Sequence, residues 1–213
     1  MNEPLVLMVV GATGAVGSRV VAAALDDPRF AKVVAPTRRP LVSHAKLQNP
    51  VVDFNRLPAD AEWWHVDAVI CTLGTTIKVA GSEAAFVAVD RDLPIQVALL
   101  ARQAGATRYA LNSSLGALHS GNFYLRTKAE AETGVRVIGY PFYTIVRPSL
   151  IDAKREQSRP AEFIGILLAR ALKPLLPRRY RAVKPDLIAR ALIEGVLSET
   201  PGERIIESEQ LQP

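Results

Sequence analysis

The 213-residue sequence predicts an α/β fold, a doubly wound parallel sheet, on three observations. Short Val- and Leu-rich runs alternate with helical stretches along the chain. The runs carry apolar residues at consecutive positions, as strands covered by helices on both faces must. Residue usage is that of an ordinary globular protein, with 49% apolar and 22% charged side chains.

The elements are taken in chain order. Leu5–Val10 is an unbroken apolar run and reads as a buried strand. Ala15–Leu25 reads as a helix, with Val16 and Val20 one turn apart, and Asp26-Asp27-Pro28 stops it. Lys32–Thr37, Val51–Phe54 and Val66–Leu73 are the next three strands. One long helix is predicted over Ser82–Gly105, capped by Ser82 and ended by Gly105. Strand Arg108–Ser113, helix Asn122–Val135 and strand Tyr143–Val146 come next. Helices at Pro160–Leu172 and Pro185–Leu197 each open on proline, where the missing N–H is not needed. Glu203–Glu207 is a last short strand. No repeat or low-complexity linker divides the chain, so a single domain spanning 1–213 is expected.

Composition excludes several classes. Every long apolar stretch is broken well short of the roughly 18 residues of a membrane span, and no secretory leader is recognisable at Met1–Val10. The single cysteine, Cys71, rules out a disulfide framework and points to a reducing, cytoplasmic location. His44, His65 and His119 are scattered, so no metal site is expected. The net charge of +5 is local: Arg170, Lys173, Arg178, Arg179, Arg181 and Lys184 form an acid-free basic segment. It lacks the interleaved aromatics of a nucleic-acid surface. Segment 170–184 is either a solvated flank or a contact for an acidic ligand, membrane or protein partner.

The strongest chemical signal is Gly11-Ala12-Thr13-Gly14-Ala15-Val16-Gly17, which leaves the first strand and opens the first helix. Glycine allows the sharp turn and the close approach of a diphosphate, and the helix start offers free N–H groups to it. The spacing G-x-x-G-x-x-G departs from the common G-x-G-x-x-G, but its strand–helix setting marks a Rossmann-type dinucleotide site. About 20 residues further on, where an NAD site carries an acid for the ribose, the chain reads Thr37-Arg38-Arg39. Guanidinium groups match a 2′-phosphate, so NADP(H) is favoured; solubilising a loop is the alternative role for these arginines. Asp53, at the end of the predicted third strand, is placed to meet the adenine edge.

Tyr124 and Lys128 lie four residues apart, one turn on a common helix face. A lysine ammonium beside a phenol favours phenolate, and the phenol can then exchange a proton with a substrate alcohol or carbonyl. Ser114, or its neighbour Ser113, is the expected holder of the substrate oxygen. Cys71 ends a buried strand and is either an inert core residue or a redox-sensitive thiol.

The constellation resembles the atypical branch of the short-chain dehydrogenase/reductase superfamily, and within it the NADPH-binding Tat-interacting-protein family. The resemblance is carried by the glycine loop, Cys71-Thr72-Leu73-Gly74-Thr75-Thr76, Val89-Asp90-Arg91-Asp92, Asn112-Ser113-Ser114 and Tyr124-Leu125-Arg126-Thr127-Lys128. Arg147-Pro148-Ser149-Leu150 and Arg155-Glu156-Gln157-Ser158-Arg159-Pro160 complete it. It implies a dinucleotide held by Gly11, Thr13, Gly14, Ala15, Val16 and Gly17, with Arg38 at the 2′-phosphate. It also implies that Leu73 and Gly74 line the adenosine side, that Lys128 reaches the nicotinamide ribose, and that Pro148 to Leu150 flank the nicotinamide. Ser114, Tyr124 and Lys128 would form the catalytic set, although the ten-residue Ser114–Tyr124 gap is shorter than in most active members.

The sequence therefore predicts an NADP(H)-binding oxidoreductase acting on a small carbonyl or alcohol, with residues from about 148 to 200 forming a small helical substrate side. A regulatory NADPH-binding protein is the first alternative. A nucleotide-sugar epimerase is the second, disfavoured by the short stretch after Pro148. The Ala- and Val-rich helix Ser82–Gly105 offers a possible homodimer face.

Overall fold

A computed structural model describes residues 3–152 and 176–212. Its seven strands form one parallel sheet of order β3-β2-β1-β4-β5-β6-β7. They are β1 (Leu5–Val10), β2 (Phe30–Val34), β3 (Leu47–Gln48), β4 (Ala68–Cys71), β5 (Arg108–Asn112), β6 (Phe142–Arg147) and β7 (Gly202–Glu207). The sheet carries α1 (Gly17–Asp26) and α6 (Pro185–Val196) on one face. On the other lie α4 (Leu93–Gln103) and α5 (Phe123–Ile138). This is a Rossmann α/β fold, as expected. The helix predicted over Pro160–Leu172 lies outside the described residues.

The apolar run of β1 explains the two-sided core. Successive strand residues point to opposite faces, so Leu7 and Val9 join the core under α1 and α6 while Met8 and Val10 join the one under α4. All four are fully buried. Burying a side chain of this kind contributes about 1.5–3 kcal/mol, so a polar residue anywhere in the run would be costly.

Two elements differ from expectation. The third strand is Leu47–Gln48, not Val51–Phe54; Val51 makes only an isolated bridge to Thr37. Pro50 lacks the N–H that would continue the ladder to the Ala35 carbonyl, and the Asn49 side chain donates there instead. The predicted helix Ser82–Gly105 is continuous but not uniform. It begins as α3 (Glu83–Val87), widens into a π segment at Ala88–Asp92, and resumes as α4. Pro94 cannot donate to the carbonyl of Asp90, four residues back, and its ring crowds that carbonyl, so the wider turn relieves the clash. Ser82 caps α3 as predicted, accepting from the N–H of Ala85 at 3.1 Å. A one-turn helix, α2 (Ile77–Ala80), precedes it.

Candidate functional site

All seven strands run the same way, so their carboxyl ends share one edge, and the strand order reverses between β1 and β4. That is where sheets of this kind bind their ligands. The sequence-selected residues return to this edge: the glycine loop after β1, Arg38 and Arg39 after β2, Leu73 and Gly74 after β4, Ser113 and Ser114 after β5, and Pro148 to Leu150 after β6. Tyr124 and Lys128 stand in the first two turns of α5, which comes after β5.

The glycine loop is tight because two of its residues can only be glycine. At Gly11, where φ is +86°, a Cβ would lie 2.7 Å from Thr72 Oγ1. At Gly17 it would lie 2.1 Å from the Gly11 carbonyl oxygen. Thr72, beyond β4, sets its hydroxyl 3.0 Å from the carbonyl of Val10 and 3.2 Å from that of Gly11, clasping the loop to the neighbouring strand. The Gly14 N–H closes onto Gly11 O at 2.9 Å. The amides of Ala15 and Val16, at the opening of α1, donate to no group among the described residues. A glycine turn ending in free amides at a helix start fits a dinucleotide's diphosphate.

Arg38 and Arg39 are exposed, with no carboxylate partner among the described residues. Their loop is nonetheless fixed. Thr37 Oγ1 donates to Arg39 O at 2.6 Å, and Asn49 Nδ2 donates to Ala35 O at 2.5 Å and Thr37 Oγ1 at 2.8 Å. Asn49 Oδ1 accepts the N–H of Leu41 at 2.7 Å. Asp53 is not at a strand end; it is exposed in a turn, with Oδ1 taking both the N–H and Nδ2 of Asn55.

Lys128 is almost fully buried, and its ammonium lies 2.6 Å from Oδ1 of Asp90 in the π segment. Asp90 Oδ2 accepts the N–H of Thr75 at 2.8 Å. A Cβ on Gly74 would lie 3.5 Å from Asp90 Oδ1 and 3.7 Å from Lys128 Nζ, so the pair sits directly beneath the loop after β4. Burial alone would lower the lysine pKa, but the adjacent Asp90 charge and Tyr124 more than reverse this, leaving it above the ordinary lysine value. The ring of Tyr124 packs 5.7 Å from that of Phe86, and its hydroxyl has no hydrogen-bond partner among the described residues.

The two serines differ sharply. Ser113 is buried and donates to Glu132 Oε1 at 2.5 Å. Ser114 is partly exposed, its hydroxyl only 3.5 Å from Leu115 O. Pro148 is buried and its carbonyl accepts the N–H of Leu115, tying the β6 exit to the β5 exit; Leu150 is largely exposed. Cys71 is buried, and burial pushes its thiol up, away from the reactive thiolate.

Sequence reasoning assigns no role to Asp90, Thr72, Asn49 or Glu132. Signals were available: Glu132 continues the four-residue spacing of Tyr124 and Lys128 along one face of α5, and Thr72 and Asp90 lie in stretches that carry the family resemblance. Asn49 depends on β3 lying beside β2. Among the described residues no cluster could hold a metal ion, and no helix is long and apolar enough to cross a membrane.

Residues 11–164 match the family described as NAD(P)H-binding. The chain is 33% identical to rat HTATIP2 over 207 residues, covering 92% of this chain and 83% of that protein. It is 32% identical to the protein "fmp52, mitochondrial" of Emericella nidulans, over 95% of this chain and 91% of that one. Among solved structures, MoeE5 in complex with UDP-glucuronic acid and NAD superposes with a TM-score of 0.72 at 19% identity, covering 95% of this chain and 75% of that one. UDP-glucose 4-epimerase from Thermotoga maritima gives 0.69 at 15%, over 96% and 77%. These likenesses show the shared fold. With its glycine loop, its Tyr-x-x-x-Lys pair and these relatives, the chain belongs to the NAD(P)H-binding family, in the atypical short-chain dehydrogenase/reductase branch that includes HTATIP2 and fmp52.

Proposed function

We propose that this protein binds NADP(H) along the carboxyl edge of its sheet and passes hydride between it and a small carbonyl or alcohol. The observation that carries the reading is the meeting of Gly74, Lys128 and Tyr124 beside the Thr72-clasped glycine loop. Gly11, Thr13, Gly14, Ala15, Val16 and Gly17 would hold the diphosphate through backbone amides and the helix start. Arg38 and Arg39, which no carboxylate among the described residues neutralises, would select the 2′-phosphate, with Asp53 near the adenine. Leu73 and Gly74 would line the adenosine side, Lys128 would hold the nicotinamide ribose, and Pro148 and Leu150 would border the nicotinamide. Bound there, the nicotinamide supplies or accepts the hydride. Tyr124, its hydroxyl unengaged, exchanges the proton with the substrate oxygen, and Ser114 rather than Ser113 orients that oxygen, because Ser113 is committed to Glu132.

Fluorescence titrations with NADPH and NADH test the cofactor assignment; equal affinity removes the arginine argument. An NADPH-coupled screen of aldehydes, ketones and quinones tests the reaction. Turnover should collapse in Tyr124→Phe while cofactor affinity holds. Binding without turnover, unchanged in Tyr124→Phe, would establish the regulatory alternative instead. One observation favours that alternative: the Lys128 charge is balanced by Asp90, which weakens its pull on the phenol. The cytoplasm is the location we propose from the single cysteine; the fungal relatives carry the word mitochondrial in their names, and cell fractionation separates the two.

A further inference from the structure

Asp90 is a buried acid with two engagements and no solvent. Its side chain is 1% exposed, one oxygen meeting the Lys128 ammonium and the other the Thr75 N–H. It is presented by a π segment, a wide turn that occurs disproportionately where a helix serves a site. It joins three elements at one point: its own segment, the β4 exit loop through Thr75, and α5 through Lys128. A core needs no such pair. A buried ion pair contributes little net stability compared with apolar residues of the same volume. The carboxylate does, however, dictate where the ammonium lies and whether it keeps its proton.

We propose that Asp90 is a positioning residue for Lys128, pinning its ammonium beneath Gly74 and keeping it protonated so that it can bind the nicotinamide ribose at all working pH values. The proposal rests on the cofactor reading above. Among the described residues, the titratable groups that face Lys128 are Asp90 from the π segment, Tyr124 from its own helix and the buried thiol of Cys71 from β4. Asp90 is the one acid among them. Without it, burial is opposed only by the weaker influence of Tyr124 and Cys71, and the lysine pKa falls. The ammonium would then lose its proton within the ordinary assay range.

The test is NADH and NADPH affinity, measured by fluorescence from about pH 5 to about pH 10, in wild type, Asp90→Asn, Asp90→Glu and Lys128→Met. Wild-type affinity should change little across the range. Asp90→Asn should match wild type to within a few-fold at the lower end and lose about tenfold or more as pH rises through the lowered lysine pKa. Asp90→Glu should restore much of the flat profile. A merely structural acid would lower affinity equally at every pH, and a parallel Asp90→Asn profile overturns the proposal. If Lys128→Met binds both nucleotides as wild type does, the assignment of Lys128 to the cofactor site fails instead. Should Asp90→Asn not fold, the wild-type protein still decides. The Lys128 ε-carbon resonance, assigned with Lys128→Arg, should titrate above the ordinary lysine value, and a midpoint below that value excludes the proposed role.

Discussion

Arg147 holds Glu132 at two points, Nε to Oε1 at 3.0 Å and Nη2 to Oε2 at 2.5 Å, and extends its third nitrogen to Glu207 at 3.0 Å. Glu132 is 2% exposed, so the end of β6 is bound to α5 through a nearly dry carboxylate, and to the end of β7 through Glu207. Removing one partner of such a pair leaves the other charged and unsatisfied. Arg147→Ala should cost about 3–5 kcal/mol, read as a lower urea midpoint with an unchanged denaturant slope. A loss below about 1 kcal/mol would show that water replaces the guanidinium.

The neighbouring serines should separate stability from chemistry. Ser113→Ala deprives Glu132 of a short donor and should lower stability by about 1–3 kcal/mol. Ser114→Ala touches no buried partner and should leave the melting temperature within a degree or two, while turnover of any substrate found falls by about 10-fold or more. Equal effects of the two changes on melting would contradict their different environments.

Nucleotide choice should depend on the arginine loop and the asparagine beneath it. Arg38→Ala with Arg39→Ala should weaken NADPH by about 10- to 100-fold, the worth of one or two charge-assisted contacts, and leave NADH nearly untouched. Asn49→Ala removes the bonds that fix the loop's course and should weaken NADPH more than NADH. In the doubly arginine-free background Asn49→Ala should add nothing to the loss, because both act through one contact. Independent, additive losses would mean that Asn49 acts only through stability.

At Gly17 a methyl group would meet the Gly11 carbonyl at 2.1 Å and Thr72 Oγ1 at 2.6 Å, and none of these atoms is the free end of a flexible chain. Gly17→Ala should therefore displace the loop, at about 1–3 kcal/mol of overpacking, and abolish the NADPH signal even in protein that remains folded. A soluble Gly17→Ala variant that titrates like wild type would show that the loop is not the diphosphate seat.

The legible parts of the molecule are those fixed by neighbours in sequence. The run Leu5–Val10, the glycine spacing, the Ser82 cap and the offset from Tyr124 to Lys128 are local patterns, and each lies where expected. The less legible parts are set by pairing across the sheet. Leu47–Gln48 forms β3 although two residues carry no periodicity, and it is a strand only because β2 lies alongside. Asp90 stands in a stretch that carries the family resemblance, but nothing nearby in sequence announces a buried lysine 38 positions later. Ser113 and Ser114 are indistinguishable as letters and are told apart only by Glu132, which α5 brings over the end of β5.

The widened turn at Ala88–Asp92 acts as a gear offset. One residue more than an α-helix needs rotates everything upstream by roughly 100° relative to the α4 turns beyond it. Val97 and Ala98 can thus bed against the sheet while Asp90 is aimed sideways at α5. Excising a single residue there and replacing Pro94 would restore an unbroken spiral and swing the carboxylate off its lysine. Shortening variants in this stretch would therefore alter the site through helical phase alone.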